Sequence, residues 1–229
     1  MAVVGVPRSP RPGQLFLRAL LELGYRGRIY PVNPNAQEIL GLRCYPSVTS
    51  LPEVVDLAIV VVSPALAAPV VRECAEKGVK AAILFTAGFS ELGTEEGRAR
   101  GAELMAAVRS GRLRMLGPNC MGVYVPKSGL GSFPEKPAEP GPIAFVSQSG
   151  SLSNRLVWSG GERALSFSKV VSVGNQDDLE ASDFLEYLAG DPETEVIAAY
   201  IEGAKDGRRL WRALSAAGRQ KHLVVWKVG

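Results

Sequence analysis

Histidine and cysteine are scarce in this sequence. Its 229 residues include one histidine, His222, and three cysteines, Cys44, Cys74 and Cys120. The cysteines are far apart and lack CxxC spacing, so the sequence predicts neither a disulfide framework nor a zinc site. We therefore expect a protein of the reducing cytoplasm that holds no metal ion of its own.

Long apolar runs and a strong excess of charge are also absent. The formal net charge is +3, and no run of basic residues is interleaved with aromatics, which argues against a nucleic-acid partner. The apolar run at 57–62 has the length of a strand and ends at Ser63, so no membrane span is expected, and no signal peptide precedes it. The 46% of hydrophobic residues suffices for a sizeable core.

The first half of the chain alternates apolar, strand-like runs with amphipathic segments. This alternation is typical of repeated βαβ units, which form a Rossmann-type doubly wound parallel sheet. A ligand should then lie at the carboxyl ends of the strands. The predicted strands cover 2–5, 28–32, 57–62, 81–85 and 112–116, and the predicted helices cover 14–23, 65–77 and 95–110.

The composition changes after residue 126. Residues 127–141 are rich in Pro, Gly, Lys and Glu without periodicity, which indicates an interdomain linker between domains at 1–126 and 142–229. The second domain has four predicted strands and ends on one of them, so we expect an incomplete doubly wound α/β domain. Its strands cover 142–146, 169–173, 196–201 and 223–227, and its helices cover 151–160, 180–188 and 207–217.

A serine-rich turn follows the first strand of this second domain. Ser147, Ser149, Gly150 and Ser151 stand between the apolar run 143–146 and a helical pattern. Free N–H groups and the positive end of the dipole at a helix start favour an anion, and glycine allows close approach. The alternative is a serine-rich N-cap that only begins the helix.

The loop after the first strand, residues 5–13, has a glycine at each end but is not GxGxxG. The second strand ends at Asn33, where a nicotinamide dinucleotide site would place an acidic residue. Arg8, Ser9 and Arg11 beside a helix start make a plausible phosphate site. A solvated loop that only turns the chain is the competing interpretation.

Several ordered motifs together resemble one family. They are AVVG at 2–5, IYPVNP at 29–34, TAGFSE at 86–91, LGPNCMG at 116–122, VSQSG at 146–150, SVGN at 172–175 and YIEG at 200–203. The set resembles the ADP-forming acyl-CoA synthetases and the α subunit of succinyl-CoA synthetase over essentially the whole chain. The resemblance implies a Rossmann-like CoA-binding domain followed by a flavodoxin-like ligase domain.

The resemblance also implies a reaction and its partners. A small carboxylic acid and CoA would form a thioester reversibly while ATP is converted to ADP and phosphate, through an acyl phosphate and a phosphohistidine. ATP or ADP and Mg would be held on a separate ATP-grasp subunit or domain. Contacts to coenzyme A would come from Gly5, Pro7, Arg8, Ser9, Gly13, Asn33, Asn35, Phe85, Thr86 and Ala87.

Other matched residues would lie at the reacting groups. Asn119 and Cys120 would lie near the acyl group, and Glu202 matches a carboxylate that orients the phosphorylated histidine. Phosphate would be received by the helix start at Ser147, Ser149, Gly150 and Ser151. With no histidine nearby in sequence, we interpret Cys120 as a packing residue rather than a nucleophile.

The sequence departs from the family pattern at three points. Pro7 replaces a Ser or Thr of the first loop and removes a backbone donor, and Asn154 stands where succinyl-CoA synthetase has a tyrosine, so succinate specificity does not carry over. The sequence ends at Gly229, before the Ser-His-Thr-Gly segment of the relatives. His222 precedes the last strand, at the far end of the sheet from Ser149, and should be a surface residue.

We hypothesise a CoA-binding, α-type part of an ADP-forming acyl-CoA synthetase that is inactive alone. A non-catalytic CoA or acyl-CoA sensing module and an NAD-binding Rossmann protein are the alternatives. The acyl substrate is left open by the sequence, as is the choice between homo- and hetero-oligomers.

Overall fold

The computed structural model describes residues 1–9, 12–132 and 139–228. Arg11 of the first loop and residues 133–138 of the predicted linker lie outside the described residues. The strands are β1 (Ala2–Val4), β2 (Tyr30–Val32), β3 (Glu38–Ile39), β4 (Leu42–Arg43), β5 (Leu57–Val60), β6 (Ala81–Leu84), β7 (Arg114–Leu116), β8 (Gly122–Val125), β9 (Leu130–Gly131), β10 (Pro140–Ser147), β11 (Phe167–Ser172), β12 (Val196–Ile201) and β13 (His222–Lys227). The α-helices are α1 (Pro12–Glu22), α2 (Pro64–Lys77), α3 (Glu95–Arg109), α4 (Gly150–Glu162), α5 (Ala181–Ala189) and α6 (Gly207–Gln220).

The first sheet is parallel throughout, with strand order β2-β1-β5-β6-β7. Its central strands are apolar and buried on both faces, as Ala58, Ile59 and Val60 show. Because β2 and β5 flank β1 on opposite sides, the strand order reverses at the carboxyl end of β1. This is the Rossmann-type sheet that the alternation predicted.

Local signals in the sequence place the helices of this first half. Pro64 opens α2, and Gly78 ends it with φ of 87°, a left-handed conformation that favours glycine. The Thr94 side chain caps α3 by accepting from the Gly97 N–H group at 3.1 Å. The predicted helix bounds agree with the structure to within a few residues.

The second sheet has the order β13-β12-β10-β11-β8-β9. Strands β10 to β13 are parallel, whereas β8 and β9 are antiparallel additions at one edge. Strands β11 and β12 lie on either side of β10, so the strand order of this sheet reverses at the carboxyl end of β10. Helix α4 begins at that point. The serine-rich turn therefore occupies the position that ligands favour in such sheets.

Two features were not anticipated from the sequence. Strands β3 and β4 form a hairpin that turns through Leu40 and Gly41, both with positive φ. Strand β8 lies within residues 1–126 yet pairs with β11 of the second sheet, and β9 falls inside the predicted linker. Sheet pairing thus crosses the position at which we divided the chain, and the division itself stays a prediction. Within the described ranges, no helix is long and apolar enough to cross a membrane.

Candidate functional site between the two sheets

A cleft of about 440 Å³ lies where the carboxyl ends of the two sheets meet. The first half contributes residues that follow β6 and β7, and the second half contributes residues that follow β10 and β12. The cleft is lined by Phe85, Ala87, Asn119, Cys120, Met121, Gln148, Ser149, Gly150, Ser151 and Glu202. It therefore brings together predicted CoA contacts, both predicted catalytic residues and most of the predicted phosphate site.

The start of α4 forms one wall of this cleft. Ser149 is the N-cap, and its Oγ accepts from the Leu152 N–H group at 3.2 Å, while the Ser149 N–H donates to Ser147 Oγ at 3.1 Å. In the described part of the chain, the N–H groups of Gly150 and Ser151 have no acceptor. Ser149 thus caps the helix, and the two free N–H donors next to it lie at the positive end of the helix dipole.

Glu202 lies next to the serine-rich turn and is held there by the side chain of Gln148. Gln148 Oε1 accepts from the backbone N–H groups of Glu202 at 2.5 Å and Gly203 at 3.0 Å. Lys227 Nζ also donates to the Glu202 carbonyl oxygen at 3.0 Å. Gln148 was not among the predicted site residues, although it stands inside the VSQSG motif.

Three motif loops converge at Asn119. Its backbone N–H donates to the Thr86 carbonyl oxygen at 2.9 Å, and its φ is 57°, a left-handed conformation that asparagine tolerates. The Asn175 N–H donates to the Pro118 carbonyl oxygen at 3.0 Å. Residues 86–91, 116–122 and 172–175, separated in sequence, therefore form one wall.

Known families match both halves of the chain. Residues 1–126 match the family described as CoA binding domain, and residues 140–229 match the succinyl-CoA ligase like flavodoxin domain. The chain belongs to the CoA-binding domain family. The resemblance to ADP-forming acyl-CoA synthetases is confirmed.

Two relatives of this chain are an ADP-forming acetate–CoA ligase and the α subunit of another. ADP-forming acetate–CoA ligase I of Archaeoglobus fulgidus is 41% identical over 231 residues, which cover 100% of this chain and 33% of the relative. The α subunit of ADP-forming acetate–CoA ligase II of Pyrococcus furiosus is 39% identical over 230 residues, which cover 100% of this chain and 50% of the relative. The chain thus spans a third to half of their length.

A solved structure shares the whole fold. It is described as Ca. Korarchaeum cryptofilum dinucleotide forming acetyl-coenzyme A synthetase 1 in complex with phosphate and ADP. The TM-score is 0.92 at 36% identity, and the match covers 100% of this chain and 49% of that chain. This similarity confirms the Rossmann-like CoA-binding and flavodoxin-like architecture.

The first loop of the CoA-binding domain lies at the sheet reversal beside β1. A Cβ on Gly5 would lie 2.8 Å from the Val61 carbonyl oxygen, and one on Gly13 would lie 3.0 Å from Pro7 Cδ, so both positions are tightly packed. Arg8 and Ser9 are exposed. The cleft lining includes none of the five loop residues predicted to contact CoA, which are Gly5, Pro7, Arg8, Ser9 and Gly13. The loop is therefore a separate part of the predicted CoA surface.

Two asparagines at the end of β2 fix the shape of that surface. Asn33 Nδ2 donates to the Val6 carbonyl oxygen at 2.7 Å, and Asn33 Oδ1 accepts from the Asn35 N–H group at 2.8 Å. Phe85 connects α1, which follows the first loop, with the cleft, because its ring packs edge-on against Phe16 with centroids 4.9 Å apart and also lines the cleft.

Two predicted contacts have buried side chains. Thr86 is 9% exposed and donates its hydroxyl to the Val62 carbonyl oxygen at 2.5 Å. Ser147 is fully buried and donates its hydroxyl to the Ser149 carbonyl oxygen at 2.9 Å. These hydroxyls shape the loops from inside and are not presented to the cleft. Asn154 lies outside the cleft, in a shallow groove with Ser151, Arg155 and Trp158.

Cys120 is a buried thiol. It is 2% exposed, its Sγ lies 3.5 Å from the Leu84 carbonyl oxygen, and burial raises its pKa to about 12. Such a thiol is protonated at neutral pH, which agrees with its interpretation as a packing residue.

His222 lies far from the cleft. It begins β13 and is aligned with Val196, whereas Ser147 is aligned with Tyr200, four residues further along β12. At about 3.3 Å per residue, this register alone separates His222 from the serine-rich turn by roughly 13 Å. The placement agrees with the prediction of a surface residue.

Proposed function

We propose that this chain is the CoA-binding, α-type part of an ADP-forming acyl-CoA ligase. The observation that carries the proposal is the cleft, in which Phe85 and Ala87 of the CoA-binding domain face the free N–H groups of Gly150 and Ser151. A ligase that exchanges CoA for phosphate on an acyl group needs a thiol and a phosphoryl group within reach of one carbonyl carbon.

The parts of the proposed site divide between the two ends of CoA. The loop containing Gly5, Pro7, Arg8, Ser9 and Gly13 would hold the phosphate-rich nucleotide end, because exposed Arg8 and the start of α1 favour anions. Asn33 and Asn35 keep that loop in shape and would contact the nucleotide. The thiol-bearing arm would extend past Phe85, Thr86 and Ala87 into the cleft.

The start of α4 would receive the phosphoryl group. Gly150 and Ser151 offer N–H groups and Ser149 and Ser151 offer hydroxyls, and such donors stabilise charge that develops on phosphoryl oxygens during transfer. Ser147 would support them from behind. Asn119 would contact the acyl region, and Glu202 would orient a phosphorylated histidine contributed from outside these 229 residues.

ATP or ADP and Mg would be bound by an ATP-grasp subunit or domain. His222 is the one histidine of the 229 residues, and it lies at the far end of the second sheet from the cleft. We therefore expect the chain alone to bind CoA and phosphate without turnover.

The test is an incubation with ATP, CoA and acetate of the 229-residue chain alone, and of the chain extended by a Ser-His-Thr-Gly segment together with the ATP-grasp protein of the same organism. We expect acetyl-CoA and ADP only when both the histidine segment and the partner are present. Robust turnover by the 229-residue chain alone would overturn the proposed division of labour. CoA binding without turnover even in the complete mixture would favour the sensing function.

A further inference from the structure

Three polar side chains from separate loops form a hydrogen-bonded row that ends at the cleft. Glu91 Oε2 accepts from Asn175 Nδ2 at 2.5 Å, and Asn175 Oδ1 accepts from Asn119 Nδ2 at 3.2 Å. Glu91 follows β6, Asn119 follows β7 and Asn175 follows β11, so the row joins the two halves of the chain. Asn119 alone among the three lines the cleft.

The carboxylate at the start of the row is fixed by the backbone. Glu91 Oε1 accepts from the N–H groups of Gly88 at 2.5 Å and Phe89 at 3.2 Å. Burial disfavours its charge, but hydrogen bonds from Gly88, Asn175 and Phe89 hold the pKa of the carboxylate below its ordinary value. Glu91 is therefore ionised at neutral pH and can only accept hydrogen bonds.

This charge determines the orientation of both amides. Asn175 must turn its NH₂ group towards Glu91, which leaves its Oδ1 for Asn119. Asn119 must then turn its own NH₂ group towards Asn175. Among the described residues, Asn119 Oδ1 has no donor, so this oxygen is available to a ligand. Without the carboxylate, either orientation of the two amides would be self-consistent.

We propose that Glu91 and Asn175 are positioning residues that fix the amide of Asn119 so that it offers a hydrogen-bond acceptor to the cleft. The inference rests on the proposed function for its ligand. The arm of CoA that enters the cleft carries amide groups and ends in a thiol, so it has N–H and S–H donors beside its amide carbonyl oxygens. An acceptor on the cleft wall can pair with one of these donors, whereas an NH₂ group at the same place could pair only with a carbonyl oxygen.

A pair of substitutions tests the row without changing its shape. In Glu91→Gln, Oε1 can still accept from Gly88 and Phe89, but an NH₂ group now faces Asn175 and should reverse both amides. Adding Asn175→Asp places a carboxylate between the introduced glutamine and Asn119. This carboxylate accepts from both amides, which should restore the orientation of Asn119. The double variant also has the net charge of the original protein.

The first readout is CoA affinity by calorimetry on the 229-residue chain. We expect E91Q to weaken CoA binding about tenfold, the effect of one lost hydrogen bond. The double variant E91Q/N175D should return to within about twofold of the original affinity at an unchanged thermal midpoint. Equal affinities of E91Q and the original protein, or no recovery in the double variant, would overturn the proposal.

The second readout needs no ligand. The side-chain NH₂ resonances of Asn119, identified by their loss in N119D, should shift in E91Q and return in the double variant. Unchanged resonances in E91Q would overturn the proposal even if CoA affinity falls. If the original chain does not bind CoA, the proposed function fails, and these resonances still decide whether the row fixes the amide.

Discussion

The three cysteines of the chain lie in apolar surroundings, and this burial sets their chemistry. Cys74 is fully buried and Cys120 is 2% exposed, and burial raises the pKa of each thiol to about 12. A pKa of 12 leaves about one thiol in ten thousand ionised at pH 8. Cys44 is also buried, and its pKa is raised for the same reason.

We therefore expect an aromatic disulfide reagent at pH 8 to modify none of these thiols in the folded protein within minutes. In guanidinium chloride all three thiols should react at once. The absorbance of the thiolate released from the reagent measures how many cysteines have been modified. Rapid modification of Cys120 in the folded state would contradict its assignment as a packing residue.

Gly174 is a position where the backbone needs glycine. Its φ is 58°, and a Cβ there would lie 2.3 Å from the Pro118 carbonyl oxygen, which belongs to the wall that carries Asn119. Gly174→Ala should lower the free energy of unfolding by about 1–3 kcal/mol, because the strain and the clash add.

Gly203→Ala is the matched control, because a Cβ at Gly203 would meet nothing within 4 Å. We expect it to change the free energy of unfolding by less than about 0.5 kcal/mol in urea titrations. Equal stability of the two variants would show that the loops do not pack as described.

At the start of α4, one N–H donor of the candidate site can be removed while the helix is kept. Gly150 is the first helical residue, and Ser149 before it has φ of −87° and ψ of 117°, which a following proline accepts. Gly150→Pro should therefore keep the helix but remove one N–H donor. We expect it to weaken binding of inorganic phosphate about tenfold.

Gly150→Ala is the control for this experiment. A Cβ at position 150 would lie 2.7 Å from Met121 Cγ in either variant, but alanine retains the N–H group. Phosphate titration by calorimetry should therefore distinguish the two variants. If they bind phosphate equally, the free N–H group of residue 150 does not contribute to an anion site.

The sequence predicted elements better than it predicted how they join. Strand β12 was predicted at its observed bounds, because its apolar run is long and flanked by turn residues. Strand β8 was missed, because four residues with two on each face give a weak signal and its partner β11 lies about 50 residues later. The β3–β4 hairpin was missed because each strand has two residues.

For the candidate site too, single motifs could be predicted from the sequence, but the contacts between them could not. The serine-rich turn and Glu202 could be located from motifs, because each stands directly after an apolar strand. Glu91 and Asn175 stand in quoted motifs too, but their contact spans 84 residues of sequence and depends on how the two sheets face each other. Side-chain burial, which withdraws Thr86 and Ser147 from the cleft, is likewise a property of the packed molecule.

The β13 edge of the second sheet is apolar and exposed. Strand β13 has β12 on one side, and Val224, Val225 and Trp226 are 61%, 41% and 60% exposed. Exposed apolar edge strands pair with other chains. We expect the chain to associate at high concentration in sedimentation experiments, and Val225→Lys to reduce this association. A monomer at every concentration would contradict this expectation.

We propose that the cleft and the loop after β1 bind CoA rather than a nicotinamide dinucleotide. Calorimetric titration of the 229-residue chain with CoA, and separately with NAD, distinguishes the two ligands. Because β2 ends at Asn33 and the first loop is not GxGxxG, we predict saturable binding of CoA at one site per chain and no binding of NAD. Binding of NAD without binding of CoA would show that the loop after β1 is a dinucleotide site and not a CoA site.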